Sequence, residues 1–365
     1  MKPLPGGYVR AAAIGAGSFG EVWRARESAT GRWVALKRVA DLSRQRAEAE
    51  VLALGLKSLP RLHGAFSHRG GHWIAMEYVH GVSLREAMAL GLSRSEMAQL
   101  AHLLVEALVE LHGAGRCHGD LKPENVLVDA REGMRLIDLE FSGAASARRG
   151  GTAGYCAPET GDRACDPIRA DLWSLGVVLH EILCGARPGS EDISGAWPRL
   201  RAAAPDWVPL VDALVRTDPS LRPASAVDAS RDLPQTESVI DVRSLVREAA
   251  DQKLAALLSA QAERLVKRGR GALAMPLLQE SLDLDPDQAL ALEVLPKVRI
   301  EPKSHRWLFA AAVAVLALGA LGMWRWRETP RRIPALTGLD AGKERIRIQR
   351  SSPAVTDLPL RERNR

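Results

Sequence analysis

Several residues near the N-terminus have the types and spacing needed to hold a nucleotide's phosphates. Residues 14–23 read "IGAGSFGEVW" and place Gly15, Gly17 and Gly20 as G-x-G-x-x-G. Glycine lets a backbone approach a phosphate without a Cβ clash. Dinucleotide-binding folds share the spacing, but there the loop opens a helix and an acidic partner follows. Here Ser18 and Phe19 form the tip and Val22 stands two positions past the last glycine; neither a helix opening nor an acidic partner follows. That favours a strand-turn-strand loop closing over phosphates. Lys37, in "VALK" fifteen residues after Val22, ends a β-type run from which its ammonium could reach phosphate oxygens. Ala35 and Val22 are small apolar residues suited to sandwiching an adenine ring. An ammonium among phosphates needs an orienting anion, and "RAEAEVLALGLKSLPRL" offers Glu48 and Glu50. Counting to the Pro-Xaa-Leu that opens the next strand favours Glu50, which also puts Leu54 one helical turn on. Glu48 is the alternative.

The elements that must position these groups come in a consistent order. Alternating runs ("YVRAAAIG", "WVALKRV", "HWIAMEYV") predict strands, and "EMAQLAHLLVEALVELHGAG" has helical periodicity. Strands first and helices after indicate an α+β fold.

The stretch "CHGDLKPENVLV", Cys117 to Val128, follows, and "LIDLEFS" comes shortly after it. With the glycine loop and "VALK" in the same order, this text resembles the protein kinase family, and specifically the bacterial transmembrane serine/threonine kinases of eukaryotic type, over residues 8–230. The resemblance implies a two-lobed fold, ATP and Mg²⁺ as cofactors, and transfer of phosphate to serine or threonine of protein substrates. It implies Asp120 as the base for the substrate hydroxyl and Lys122 as the cation steadying the transferring phosphoryl. Asn125 and Asp138 would be the Mg²⁺ ligands. "MEYVHGVSL" resembles the hinge between lobes, with Met76 as gatekeeper and the backbones of Glu77 and Val79 on the adenine edge. Together with Ile14, Gly15, Gly17, Ser18, Phe19, Gly20, Val22, Ala35 and Lys37, these complete the expected nucleotide contacts. "GTAGYCAPE" resembles the end of an activation segment, with Thr152 near the base. Asp171, in "DLWSLGVVLHEILCG", would tie back to the catalytic loop, and Arg222 in "DPSLRP" would pair with Glu159.

Two positions depart from the family pattern. Gly119 stands where an arginine often pairs with a phosphorylated activation loop, which implies activity independent of that phosphorylation. Leu139-Glu140 replaces Phe-Gly, so Glu140 lacks glycine's freedom at positive φ and adds a carboxylate near the metal. Because Lys37, Asp120 and Asp138 are all present, the expectation is an active kinase. The alternative is a nucleotide-binding scaffold that signals by conformation.

Composition bounds the rest. The 365 residues are 46% hydrophobic and 26% charged, ordinary for a globular chain. The four cysteines, Cys117, Cys156, Cys165 and Cys184, have no metal-ligand spacing and read as reduced thiols. The net charge of +6 resides in the tail from Arg325 to Arg365, which holds eleven Lys/Arg against five Asp/Glu. A basic, Pro-punctuated tail is not a folded nucleic-acid face, so no nucleic-acid partner is expected. Residues 240–300 read as helical. "GRGALAMPLLQESLDLDPDQALAL" resembles one tetratricopeptide unit, with Gly269, Ala274, Leu278, Leu282 and Pro286 at its packing positions and Pro276 awkward inside its second helix. Such a segment could engage a protein partner. Residues 307–324, "WLFAAAVAVLALGALGMW", carry no charge and would span about 27 Å as a helix, enough to cross a bilayer. With no N-terminal apolar leader, the expectation is a single-pass protein of the cytoplasmic membrane. Its kinase domain would be cytoplasmic, its tail (325–365) outside and largely unstructured, and a homodimer is possible. Charge bias across the span argues the opposite side for the tail.

Overall fold

A computed structural model describes residues 5–17, 20–139, 151–162, 165–188, 197–235 and 241–298. Ser18, Phe19, Glu140, the segment 307–324 and the tail lie outside the described residues.

The N-terminal half is an antiparallel five-stranded sheet in the order β1-β2-β3-β5-β4, with β1 Tyr8–Gly17, β2 Gly20–Glu27, β3 Trp33–Val39, β4 Leu62–His68 and β5 Gly71–Glu77. The central strand β3 reads "WVALKRV" and is buried along most of its length. This explains its nearly unbroken apolar text, because both of its faces are covered. One helix, α1 (Leu42–Leu52), packs on β4 and β5; its N-cap Asp41 accepts the backbone N–H of Arg44.

After the chain leaves β5 it forms a small second sheet of β6 (Gly81–Ser83), β7 (Val126–Asp129) and β8 (Gly133–Leu136), whose strands are interleaved with the first helices of a helical half. Its helices are α2 (Leu84–Met88), α3 (Arg94–Gly113), α4 (Pro167–Cys184), α5 (Trp197–Ala203), α6 (Val208–Leu214) and α7 (Ala226–Ser230). Ser83 and Ser93 each open a helix with a reciprocal capping box to Glu86 and Glu96. Helix α4 starts on Asp166 with Pro167 in its first turn and stops at Gly185, whose φ of 70° is the left-handed cap glycine tolerates. Its buried stripe, Leu172, Leu175, Val178, Leu179 and Ile182, joins Leu100, Leu104, Leu108 and Leu111 of α3 in the main core. The two-lobed α+β arrangement expected from the sequence is what the described residues form.

The remaining helices are α8 (Val242–Val266), α9 (Gly271–Leu284) and α10 (Ala289–Val294). α8 and α9 pair, with Ala274 and Leu278 buried between them and Gly269 turning the chain at φ 68°. Pro276 sits inside α9 and removes one helical hydrogen bond, a cost of about 3 kcal/mol in an isolated helix. Here burial of its neighbours Leu277 and Leu278 against α8 holds the helix through it. The pair also lies against the two-lobed body, within one compact unit covering residues 1–300.

Among the described residues no helix is long and apolar enough to cross a membrane.

Candidate active site

The cleft between the two sheets encloses about 550 Å³. Its apolar walls come from Ile14, Val22, Ala35, Met76, Leu127 and Ile137, and its polar groups include Lys37, Lys122, Asn125 and Asp138. The volume suits a nucleotide-sized ligand, and the layout of apolar walls with a few convergent charges is that of a small-molecule site.

Lys37 is the electrostatic centre. Its Nζ lies 3.0 and 2.8 Å from the two carboxylate oxygens of Glu48 and 2.8 Å from Asp138 Oδ1. Lys37 and Glu48 are both buried, so this is a desolvated, bidentate contact. The expectation that Glu50 orients Lys37 is therefore corrected. Residues two apart on a helix point to different sides. The inward face of α1 carries Gln45, Glu48, Val51 and Leu52, while Glu50 is exposed. The helix also ends at Leu52, and Leu54 is exposed. The helical-turn relation that favoured Glu50 does not exist.

Asp138 has φ 62°, a left-handed conformation unusual for a residue with a side chain. Such strain persists only where surrounding structure enforces it. Its contact with Lys37 and the complete burial of Leu139 in the main core fix it from both sides. Leu139 thus packs in the main core at the position where the family pattern has phenylalanine, whereas Glu140 lies outside the described residues.

The segment Cys117–Asn125 is held from below by one carboxylate. Asp171 of α4, itself buried, accepts the backbone N–H groups of His118 at 2.5 Å and Gly119 at 2.8 Å, and lies 3.1 Å from His112 Nε2. Gly119 takes φ 81°, which an arginine adopts only with strain. Above it, three polar groups converge on Asp120. Lys122 Nζ donates to Oδ2 at 2.7 Å, Asn125 Nδ2 donates to Oδ2 at 3.1 Å, and Thr152 Oγ1 donates to Oδ1 at 2.8 Å. Lys122 also donates to Thr152 Oγ1 at 2.7 Å. Asp120 is therefore a fixed acceptor, and Thr152 belongs to its network. Farther out, Arg222 makes a two-pronged contact with Glu159 at 2.6 and 2.9 Å, and its guanidinium is fully buried.

Of the other expected nucleotide contacts, Gly15, Glu77 and Val79 line the cleft, and Gly17 pairs with Gly20 across the β1–β2 turn. The Glu77 N–H donates to Arg61 O at 2.8 Å, so Glu77 can serve a base edge only through its carbonyl. Sequence reasoning missed Leu127, legible as the apolar residue two past Asn125. It also missed Ser83 and four residues of α8: Ala250, Lys253, Leu254 and Leu257. Nothing in the text of α8 marks those four, because they reach the cleft only through tertiary packing.

The donor set fits Mg²⁺. This ion is usually held by one or two carboxylates with phosphate and water completing its shell, and Asp138 with Asn125 offers that kind of partial set. Among the described residues no group of three or more His, Cys, Asp and Glu forms a dedicated metal cage.

The protein kinase domain model matches residues 8–231, and the chain belongs to that family. Similar curated proteins include the serine/threonine-protein kinase ppk11 of Schizosaccharomyces pombe, 33% identical over 193 residues (48% of this chain, 62% of the relative). The CBL-interacting serine/threonine-protein kinase 15 of Arabidopsis thaliana is 33% identical over 195 residues (48% and 46%). The CBL-interacting protein kinase 21 of Oryza sativa subsp. japonica is 34% identical over 204 residues (50% and 39%). The chain spans roughly half the length of the curated relatives it matches.

Proposed function

We propose that this chain is an active protein serine/threonine kinase that transfers the γ-phosphoryl group of ATP to hydroxyls of protein substrates. The observation that carries the reading is the convergence of Lys122, Asn125 and Thr152 on Asp120, beside a cleft containing Lys37 and Asp138. Phosphoryl transfer asks mainly for positioning and charge compensation. Asp120, fixed by three donors, accepts the proton of an incoming hydroxyl. Lys122, between Asp120 and the cleft, offsets charge on the moving phosphoryl. Lys37, oriented by Glu48, binds phosphate oxygens. Asp138 and Asn125 would hold Mg²⁺, which when bound neutralises phosphate charge.

Serine or threonine as acceptor is supported by the "LKPEN" wording and by the names of the relatives. Incubating the full chain with labelled ATP, Mg²⁺ and peptides differing only in a Ser, Thr or Tyr acceptor tests it. Label on Ser and Thr peptides is expected; label on Tyr peptides alone would refute the assignment.

The reading extends to a bacterial-type architecture, with residues 307–324 anchoring the kinase to the cytoplasmic membrane and α8–α9 serving as a tetratricopeptide-like partner surface. The uncharged run bracketed by Arg306 and Arg325 supports the anchor. Recovery of the full chain in the membrane fraction after high-salt and carbonate washing is expected; release by either wash would refute it.

A further inference from the structure

Helix α8 spans both halves of the molecule. Its first half is part of the main core through Val246 and Ala250. Its second half packs Leu254, Leu258 and Ala262 with α9 and with Ala12 of β1. Two ion pairs and one histidine–carboxylate hydrogen bond tie the same module to separate parts of the body. Asp251 lies 2.8 Å from His80 Nε2, just past β5; Lys253 lies 2.7 Å from Glu86 of α2; and Glu280 of α9 lies 2.7 Å from Arg24 of β2. Arg24 is buried and stacked 3.5 Å over the Trp33 ring, so the last contact is well fixed. The Glu86 carboxyl sits below its ordinary range; burial alone would raise it, but hydrogen bonds from Lys253 and Ser83 outweigh that. Between these anchors, Ala250, Lys253, Leu254 and Leu257 line the same cleft as Lys37 and Asp138.

We infer that α8 is a wall of the nucleotide site, closing the cleft on the side of β1 and β6 with an apolar surface and bracing the two halves around a bound adenine nucleotide. The family model ends at residue 231, so this wall is supplied by the chain's own extension. The inference rests on the nucleotide reading given above. Its physical content is contact area: Leu257, only partly buried, offers apolar surface to a base and sugar, backed by the buried Ala250 and Leu254, and Lys253 pins the helix at the mouth of the cleft through Glu86. It follows that whatever engages α8–α10 changes nucleotide affinity directly.

The test uses the full chain and two probes, Mg·ADP and adenosine, titrated calorimetrically. The variants are Leu257→Ser, which removes the exposed part of the wall, and Lys253→Glu, which sets two carboxylates against each other at the mouth without disturbing the core. Leu273→Ser, on the exposed face of α9, is the reference. Leu257→Ser is expected to weaken both probes about fivefold, the loss of a modest apolar contact. Lys253→Glu is expected to weaken both about five- to tenfold, and Leu273→Ser neither. Adenosine carries no phosphate, so equal loss for the two probes separates a missing wall from repulsion of phosphate. If Leu257→Ser fails to fold, Lys253→Glu decides. Unchanged affinities, or loss for Mg·ADP alone, would overturn the inference. Failure of the unmodified chain to bind either probe would instead overturn the nucleotide reading beneath it.

Discussion

One ammonium, Lys37 Nζ, bridges two carboxylates on different elements, Glu48 of α1 and Asp138 after β8, at 2.8 Å each. It couples the position of α1 to the metal-side acid of the cleft. Lys37→Met takes the Lys37 counter-charge away from buried Glu48, a destabilisation of about 3–5 kcal/mol in typical buried pairs. Phosphotransfer is expected to fall below detection. Glu48→Gln is expected to lower kcat/KM at least tenfold, and Glu50→Gln, on the exposed face, less than twofold. A larger loss from Glu50→Gln than from Glu48→Gln in steady-state kinetics would contradict the pairing.

Thr152 donates to Asp120 and accepts from Lys122. Thr152→Val keeps its shape and removes both bonds. Hydrogen bonds to charged groups contribute about 1.5–3 kcal/mol, so kcat is expected to fall about 10- to 100-fold. The KM for ATP should stay nearly constant, because Thr152 does not line the cleft. A change confined to that KM would place Thr152 elsewhere in the cycle.

Arg222 cannot be replaced by lysine without loss. Its planar guanidinium grips Glu159 with two bonds while also donating to backbone carbonyls of Arg169 and Arg216. Lysine offers a point charge without that fork. Arg222→Lys is expected to cost about 1.5–3 kcal/mol, lowering the melting temperature by about 3–10 °C. An unchanged melting temperature would show that the pair does not hold the fold.

The strand-and-helix order, the glycine loop, Lys37 and the Asp120–Asn125 run were all legible in the sequence, because phosphate chemistry fixes residue types at short, local spacings. Glu48 was not. Two acidic residues two positions apart are separated only by the phase of α1 against the sheet, which packing decides. The α8 wall was less legible still, since Lys253 meets Glu86 across 167 residues of sequence. Gly119 stands where the family often has arginine, and its φ of 81° also makes it the residue that fits the turn without strain.

The same turn carries a stability prediction. Gly119→Ala places a Cβ on left-handed backbone and is expected to cost about 1–2 kcal/mol in denaturant unfolding. No measurable cost would mean that the backbone relaxes out of that conformation.

His118, fully buried, holds its imidazole pKa below the ordinary 6.5, because burial disfavours the cation more than Asp171 and Asp120 favour it. The folded chain therefore keeps His118 neutral where the unfolded chain takes up a proton. Stability from this group is complete above about pH 6.5 and declines as the pH falls toward the folded-state value. Its Nδ1 accepts the Asp120 N–H at 3.3 Å, so protonation would also disturb the catalytic loop. The melting temperature is expected to drop between pH 7.5 and 5.5, with a shallower drop in His118→Gln. Equal slopes in both proteins would assign the dependence to other groups.

The most direct test is Mg²⁺-dependent transfer of labelled γ-phosphate from ATP by the full chain, to itself and to a generic basic protein, beside Lys37→Met and Asp120→Asn. Label in the unmodified chain that vanishes in both variants is the predicted result. Retained Mg·ADP binding without any label transfer would contradict the account and identify the protein as a nucleotide-binding scaffold.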